Sequence, residues 1–343
     1  MATVFTIDND ANKLREYLEQ IGYLETNEDA TIVALGGGVS NDVFRVVSQR
    51  GAIVVKQALH KLRVKDDWFI DPERANVEKD YLKLILTLLG DDYAPAVVFE
   101  DEENCLFAME HAPDGSKMWK ELLLSGQVDR DLARLVAQLL ARLHNETYGN
   151  QAILERFDYQ QRFIDCRVDP YFETIARRHP ELEQEIRTEI NRVLVKKGVL
   201  VHGDYSPKNI LLFPDRKKIW LLDGEVAHIG NPSFDTAFLL NHLLLKAVHV
   251  KSAQEDMLEA FRQMGTAYLE AVTVFPADWM EENTCRELGL MMLARVDGKS
   301  PAEYLNEDER VMVRRASTRI IRERPKCFHD LAEIVVQEIE ANG

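Results

Sequence analysis

Val201-His202-Gly203-Asp204-Tyr205-Ser206-Pro207-Lys208-Asn209, with Asp223-Gly224-Glu225 beginning fourteen residues after Asn209, is the stretch whose reading decides the fold. Between the two parts lie apolar runs of strand length, Ile210 to Phe213 and Lys218 to Leu222, separated by Pro214-Asp215-Arg216-Lys217. A polar tetrapeptide opening with proline between two such runs reads as the turn of a β-hairpin. That hairpin carries Asp223 back towards Asn209. Each of these residues alone is an ordinary turn residue. Together they form an ordered set of oxygen-bearing side chains.

Transfer of a phosphoryl group has matching requirements, because it is mainly positioning and charge stabilisation. A carboxylate must orient the accepting hydroxyl, hard oxygen ligands must hold Mg²⁺, and nucleotide phosphates need amides and a cation. Asp204 is the candidate catalytic carboxylate, preceded by a glycine that permits tight backbone geometry. Asn209 supplies a neutral oxygen for the metal. Asp223 ends an apolar strand, where a bare carboxylate is costly unless paired or metal-bound. Glu225 reads equally as a second metal carboxylate and as a solvated charge. His202 and His144 read as structural, holding a loop and a helix end by hydrogen bonds. Asp235 reads as a cap of the next helix or a brace for the loop around Asp204.

Outward from this stretch, the first third of the chain alternates strand and turn. Thr31 to Leu35 is β-branched, Gly36-Gly37-Gly38-Val39-Ser40-Asn41 interrupts it, and Asp42 to Ser48 and Ala52 to Gln57 follow as strands. By itself the glycine run is a flexible turn; beside a nucleotide it donates amides to phosphates, which makes Gly37, Gly38, Ser40 and Asn41 candidates. Lys56 closes the apolar strand Ile53-Val54-Val55, where an ammonium needs an anion. Asp71-Pro72 reads as the N-cap and first position of a helix running to Leu89. On it Glu78 shares a face with Leu82, Ile85 and Leu89 and is the carboxylate expected beside Lys56. Glu73, in the first turn, is explained by the helix dipole. Val97 to Glu100 and Leu106 to Glu110 read as strands. The segment Met109 to Pro113 reads as the junction of two lobes. There the backbone of Glu110 and Ala112 can pair with adenine and Met109 can pack on it; a buried strand end is the other reading.

Beyond Pro113 the pattern is helical. Leu132, Leu135, Val136, Leu139, Leu140 and Leu143 recur at helical spacing. Further helices are expected over Glu181–Val195, Phe234–Val250, Ala253–Val272, Thr284–Leu293 and Ser317–Ala341. The expected class is α+β with two lobes, a β-rich nucleotide-binding lobe over residues 1–110 and a helical catalytic and substrate-binding lobe over 111–343.

A chain of 343 residues suits two packed lobes. Its net charge of −16 argues against nucleic acid as a partner, since phosphate backbones require clustered Lys and Arg. It permits a cationic substrate, although a solvated acidic surface is the commoner cause. Cys105, Cys166, Cys285 and Cys327 form no CxxC pair and read as reduced thiols. Met1 to Asp10 shows no signal-peptide pattern. Apolar runs such as Phe238 to Val250 are broken by Asn241, His242 and Lys246, short of the roughly 20 residues that span a bilayer. A cytoplasmic protein with no membrane partner is expected, and the oligomeric state is not legible.

The stretch HGDYSPKN with LLDGEVAHIGNPSFD resembles the aminoglycoside phosphotransferase/choline kinase family, whose fold is protein-kinase-like. Leu35 to Val46, Val54 to Lys56 and Leu140-Ala141-Arg142-Leu143-His144 resemble it too, in the same order along most of the chain. The resemblance implies an ATP- and Mg²⁺-dependent kinase acting on a small-molecule hydroxyl. It implies Asp204 as catalytic, Asn209 and Asp223 on metal and Lys56 on phosphates. Val55 to Leu59, Trp68, Arg74 and Glu78 are similar to methylthioribose kinase. Arg295 with Gly298 resembles a substrate-arginine segment, making Arg295, with Asp204 and Glu225, a substrate candidate. The chain departs from that subfamily at Asn209, at Asp223-Gly224-Glu225 and at Ala294. A methylthioribose-like sugar is therefore one expected acceptor, with aminoglycosides and choline-like amino alcohols as alternatives, and a catalytically silent nucleotide-binding protein as another. A protein kinase is disfavoured, because Phe234 stands only eleven residues beyond Asp223 and no APE-like segment intervenes.

Overall fold

Residues 5–36, 40–63, 69–215 and 218–341 are described by the structure, a computed structural model. Gly37, Gly38 and Trp68 lie outside them. Contacts divide the chain into two units, Met1–Ser116 with Leu212–Glu225, and Lys117–Leu211 with Val226–Gly343. The hairpin that ends in Asp223 thus belongs mainly to the first unit, whereas the sequence reading put all of 111–343 in the second. Backbone pairing is the reason. Ile219 N–H donates to Asp92 O (3.2 Å) and Leu221 N–H to Tyr93 O (2.8 Å), while Phe213 N–H closes the hairpin on Lys218 O (3.1 Å).

In the first unit, α1 (Ala11–Gln20) precedes β1 (Thr31–Ala34), β2 (Asn41–Ser48), β3 (Gly51–Ala58), α2 (Arg74–Leu88), β4 (Val97–Asp101) and β5 (Leu106–Glu110). The strands form an antiparallel sheet in the order β1-β2-β3-β5-β4. Leu14, Tyr17 and Leu18 of α1 share a core with Phe44, Val46, Ile53, Val55, Leu106 and Ala108. Side chains alternate along a strand, so Ile53 and Val55 serve that core while Val54 and Lys56 face the other side, towards α2. Covered on both faces, β3 is buried from Ile53 to Ala58.

The opening of α2 differs from the sequence reading. Asp71 does not cap the helix; its carboxylate accepts from Glu73 N–H (2.9 Å) in the turn before it, and the helix starts at Arg74. Proline at position 72 here belongs to that turn.

The second unit is mainly helical. Helices Arg130–Thr147, Pro232–His249, Gln254–Ala271 and Ala277–Asp297 are its longest elements, and Pro232–His249 is buried from Pro232 to Val248. The helix expected over Ser317–Ala341 is two, Glu307–Glu323 and Phe328–Glu340. Arg324 turns left-handed (φ 52°) and Pro325 cannot continue a helix. The Thr284–Leu293 helix extends to Ala277–Asp297. An unforeseen ten-residue π-helix, Ile164–Glu173, contains Pro170. A wide turn tolerates the missing proline N–H, and such segments often accompany functional sites. No helix among the described residues is long and apolar enough to cross a membrane.

Candidate active site

Within the first unit, candidate residues gather around Lys56, on the α2 side of β3. Lys56 Nζ donates to Glu78 Oε1 (2.7 Å) and to Asp223 Oδ1 (2.6 Å), and both Lys56 and Glu78 are buried. Burial alone disfavours the ammonium, but Asp223, Glu78 and Glu225 outweigh it and raise its pKa above the ordinary lysine value. Burial pushes Glu78 up to about 7 against the pull of Lys56, with the Asp223 and Glu225 charges adding to the rise.

Asp223 adopts a left-handed backbone (φ 64°), unusual for a residue with a Cβ though tolerated by Asp. Gly224 follows where a Cβ would come within 2.3 Å of the Tyr81 ring, so only glycine lets the chain pass α2. Glu225 accepts from Arg74 Nε (3.2 Å) and Asn41 Nδ2 (3.2 Å). Arg74, fully buried, also donates to the carbonyls of Ser40 and Leu59. Glu225, Arg74 and Asn41 therefore tie the exit of the glycine segment to the end of the hairpin. Ser40 contributes its carbonyl to this tie.

Met109 is buried in β5 opposite Val54. Glu110 N–H donates to Ala96 O (2.9 Å), so that amide is not available to a base; Ala112 is half-buried.

In the second unit Asp204 is buried. Its Oδ2 pairs with Lys208 Nζ (2.8 Å) and Arg167 Nη2 (3.0 Å). Burial alone would raise its carboxyl, but the Lys208 and Arg167 charges hold it below the usual carboxylate range. A carboxylate so held stays ionised and suits orienting a hydroxyl. Gly203 takes φ 76°, and a Cβ there would stand 2.9 Å from Val226 O. Arg167 Nε donates to Gly203 O (2.6 Å), and the amides of His202 and Gly203 donate to the two oxygens of Asp235 (2.6 and 2.9 Å). His202 Nδ1 accepts from Asp204 N–H (3.2 Å). His144 Nδ1 lies 2.7 Å from Tyr268 Oη. The two histidines and Asp235 thus hold backbone and neighbouring side chains, and Asn231 rather than Asp235 caps the next helix. Asn209 Nδ2 donates to Asp204 O (2.9 Å), which fixes which end of the amide is oxygen.

Lys56, Glu78 and Asp223 are thus brought together, as are Glu225 with Asn41 and Asp204 with Asn209; Arg295 lies in the helical unit with its Nη1 on Ser300. Sequence reasoning assigned no role to Lys208 or Arg167, and gave Arg74 no partner. Lys208 was legible as the residue four beyond Asp204. The long-range partners of Arg167 and Arg74 left no local signal. Among the described residues no three His, Cys, Asp or Glu side chains gather as a metal-binding cluster. Asp223, Glu225 and Asn209 are nonetheless hard oxygen donors of the kind Mg²⁺ takes.

The model of the phosphotransferase enzyme family matches residues 31–272. A methylthioribose kinase of Bacillus cereus is 24% identical over 296 residues, 78% of this chain and 73% of that protein. One of Bacillus mycoides is 23% identical over 272 residues, 71% and 68%. Among solved structures, an amicoumacin kinase in complex with AMP-PNP, Ca²⁺ and Ami superposes with TM-score 0.55 at 16% identity, covering 92% of this chain and 96% of that one. A Plasmodium vivax ethanolamine kinase gives 0.54 at 14%, covering 94% and 93%. These likenesses carry the protein-kinase-like α+β fold. The chain belongs to the phosphotransferase enzyme family, as an ATP-dependent small-molecule kinase acting on hydroxyl groups.

Proposed function

We propose that the chain transfers the γ-phosphoryl group of ATP to a hydroxyl of a sugar-like small molecule, with Asp204 orienting that hydroxyl. The observation that carries this reading is the buried Lys56 held between Glu78 and Asp223 at 2.7 and 2.6 Å. An ammonium fixed in this way is a ready partner for nucleotide phosphates. Asp223, Glu225 and Asn209 are the proposed ligands of Mg²⁺, which when bound neutralises charge on the phosphates. Gly37, Gly38, Ser40 and Asn41 are proposed to cover the phosphates, and Met109, Glu110 and Ala112 to meet the base, through the Glu110 carbonyl rather than its amide. The methylthioribose kinases among the relatives support a methylthioribose-like sugar as acceptor; aminoglycosides and amino alcohols are the alternatives. Residues 1–110 and 111–343 are the proposed nucleotide and substrate portions, with the hairpin Leu212–Glu225 counted with the first, in a cytoplasmic enzyme without nucleic-acid or membrane partners.

The test is ATP turnover in Mg²⁺ across sugars, aminoglycosides and amino alcohols, comparing the intact chain with D204A. Turnover by the intact chain and its collapse in the variant are expected. Equal turnover by D204A removes the role of Asp204.

A further inference from the structure

The helical unit holds a second buried lysine. In the helix Pro232–His249, Phe238, His242 and Lys246 recur every four residues and share a face. Lys246 is fully buried. Its Nζ donates to His242 O (3.3 Å) and lies 5.3 Å from the centre of the Tyr304 ring. No ion pair joins it to a carboxylate among the described residues; Glu303, the acidic group whose charge bears on it, is engaged by Lys120. Arg295, from the helix Ala277–Asp297, gives its Nη1 to the carbonyl and hydroxyl of Ser300. Its Nε is buried without a hydrogen-bond partner among the described residues, as are His242 Nε2 and the Tyr304 hydroxyl.

Four cations act on this place. Burial lowers the pKa of His242, and the charges of Lys246, Arg295, Lys208 and Lys120 lower it further, so the imidazole is neutral. Lys208 is also the partner of Asp204 at 2.8 Å, which joins the cluster to the candidate catalytic carboxylate. Burial likewise pushes Lys246 down to about 7, with Lys120 and Arg295 adding to the effect and Glu303 opposing it. A buried cation without a counter-ion is costly, and buried donors left unmatched are costly too. One ligand chemistry meets both needs, an oxyanion accepting from ammonium, guanidinium and hydroxyl donors. A cationic aminoglycoside or amino alcohol would instead meet Lys246 and Arg295, the two cations of the cluster not paired with a carboxylate among the described residues; Lys120 and Lys208 are held by Glu303 and Asp204.

We propose that this cluster binds a carboxylate or phosphate group of the acceptor, so that the phosphorylated hydroxyl belongs to an anionic small molecule, a sugar acid or a sugar phosphate. This rests on the kinase reading and narrows its substrate.

The test is calorimetric binding at pH 6.5 to the full chain with AMP-PNP and Mg²⁺, paired with ATP turnover. The probes are gluconate and glycerate, ribose 5-phosphate and glucose 6-phosphate, ribose and methylthioribose, and choline. At least one oxyanion probe is expected to bind ten-fold or more tighter than every neutral or cationic probe, and to be phosphorylated. The acid and phosphate arms identify which oxyanion is preferred. In K246M, and separately in R295Q, that binding is expected to weaken ten-fold or more while AMP-PNP affinity on the same sample is unchanged. Absence of binding by every oxyanion, tighter binding of a neutral or cationic probe, or indifference to both substitutions overturns the inference. If AMP-PNP still binds and another acceptor is phosphorylated, only this inference is lost. If neither nucleotide binding nor turnover is found, the kinase reading is lost with it.

Discussion

Lys56 lies on a strand with two carboxylates within 2.7 Å, while Lys246 lies on a helix with no carboxylate paired to it among the described residues. Both are buried, yet the first has its pKa raised and the second is pushed down to about 7. The desolvation penalty acts in the same direction on each. What differs is whether the fold supplies the counter-charge or leaves that to a ligand. A lysine with its counter-ions built in is preorganised for a partner that brings its own cation, as a nucleotide with Mg²⁺ does. A lysine without them favours an anion arriving alone.

The harshest way to break this comparison is to remove a carboxylate from Lys56. In D223A, kcat is expected to fall on the order of 10³-fold, a loss of the size seen when one electrostatic partner is removed from a catalytic site. Steady-state assays read the loss, and circular dichroism should show the fold retained. A folded D223A with full activity contradicts the role given to Asp223.

Next in size is the pair of charge deletions. K56M leaves Glu78 buried beside Asp223 without its cation and is expected to cost about 3 kcal/mol of stability. K246M removes a buried charge the fold does not pair and is expected to stabilise the ligand-free protein, most strongly below pH 7. Urea midpoints at unchanged slope measure both. A larger loss in K246M than in K56M would invert the comparison.

The smallest effect is a pH dependence. The folded pKa of Lys246, about 7, lies below that of an unfolded lysine, near ~10.4. Below pH 7 the group is protonated in both states and its full cost is felt. As pH rises from about 7 towards ~10.4, the unfolded chain binds more protons than the folded one, and stability rises. The gap between K246M and the parent in urea should therefore shrink from pH 6 to pH 9. Lys120, Arg295, His242 and Glu303 surround the group, so the difference between the two proteins, rather than either curve, isolates it. A gap that is constant over this range removes the claim that Lys246 titrates there.

Much of the site was readable residue by residue. Period-two alternation around Ile53-Val54-Val55-Lys56 put the ammonium on one face, and helical spacing put Glu78 on the face of Leu82 and Ile85. Those two patterns account for a pair 2.7 Å apart. The hairpin before Asp223 was readable from its turn, but not its membership of the first unit, which depends on hydrogen bonds to Asp92 and Tyr93 over a hundred residues away. The Ser317–Ala341 reading followed helical spacing past Pro325, although proline rules out an unbroken helix there. Arg167 hid in a π-helix, where 3.6-residue periodicity does not apply.

By itself the sequence determined the family, the candidate catalytic stretch and the order of strands and helices, because these rest on spacing along the chain. It also supplied a net charge of −16, which invites a cationic substrate. Only the tertiary structure decided that Lys120, Lys208, Lys246 and Arg295, scattered over more than 170 residues, bear on one buried imidazole. Composition counts charges without placing them. The field at a site is set by the few that folding brings within reach of it.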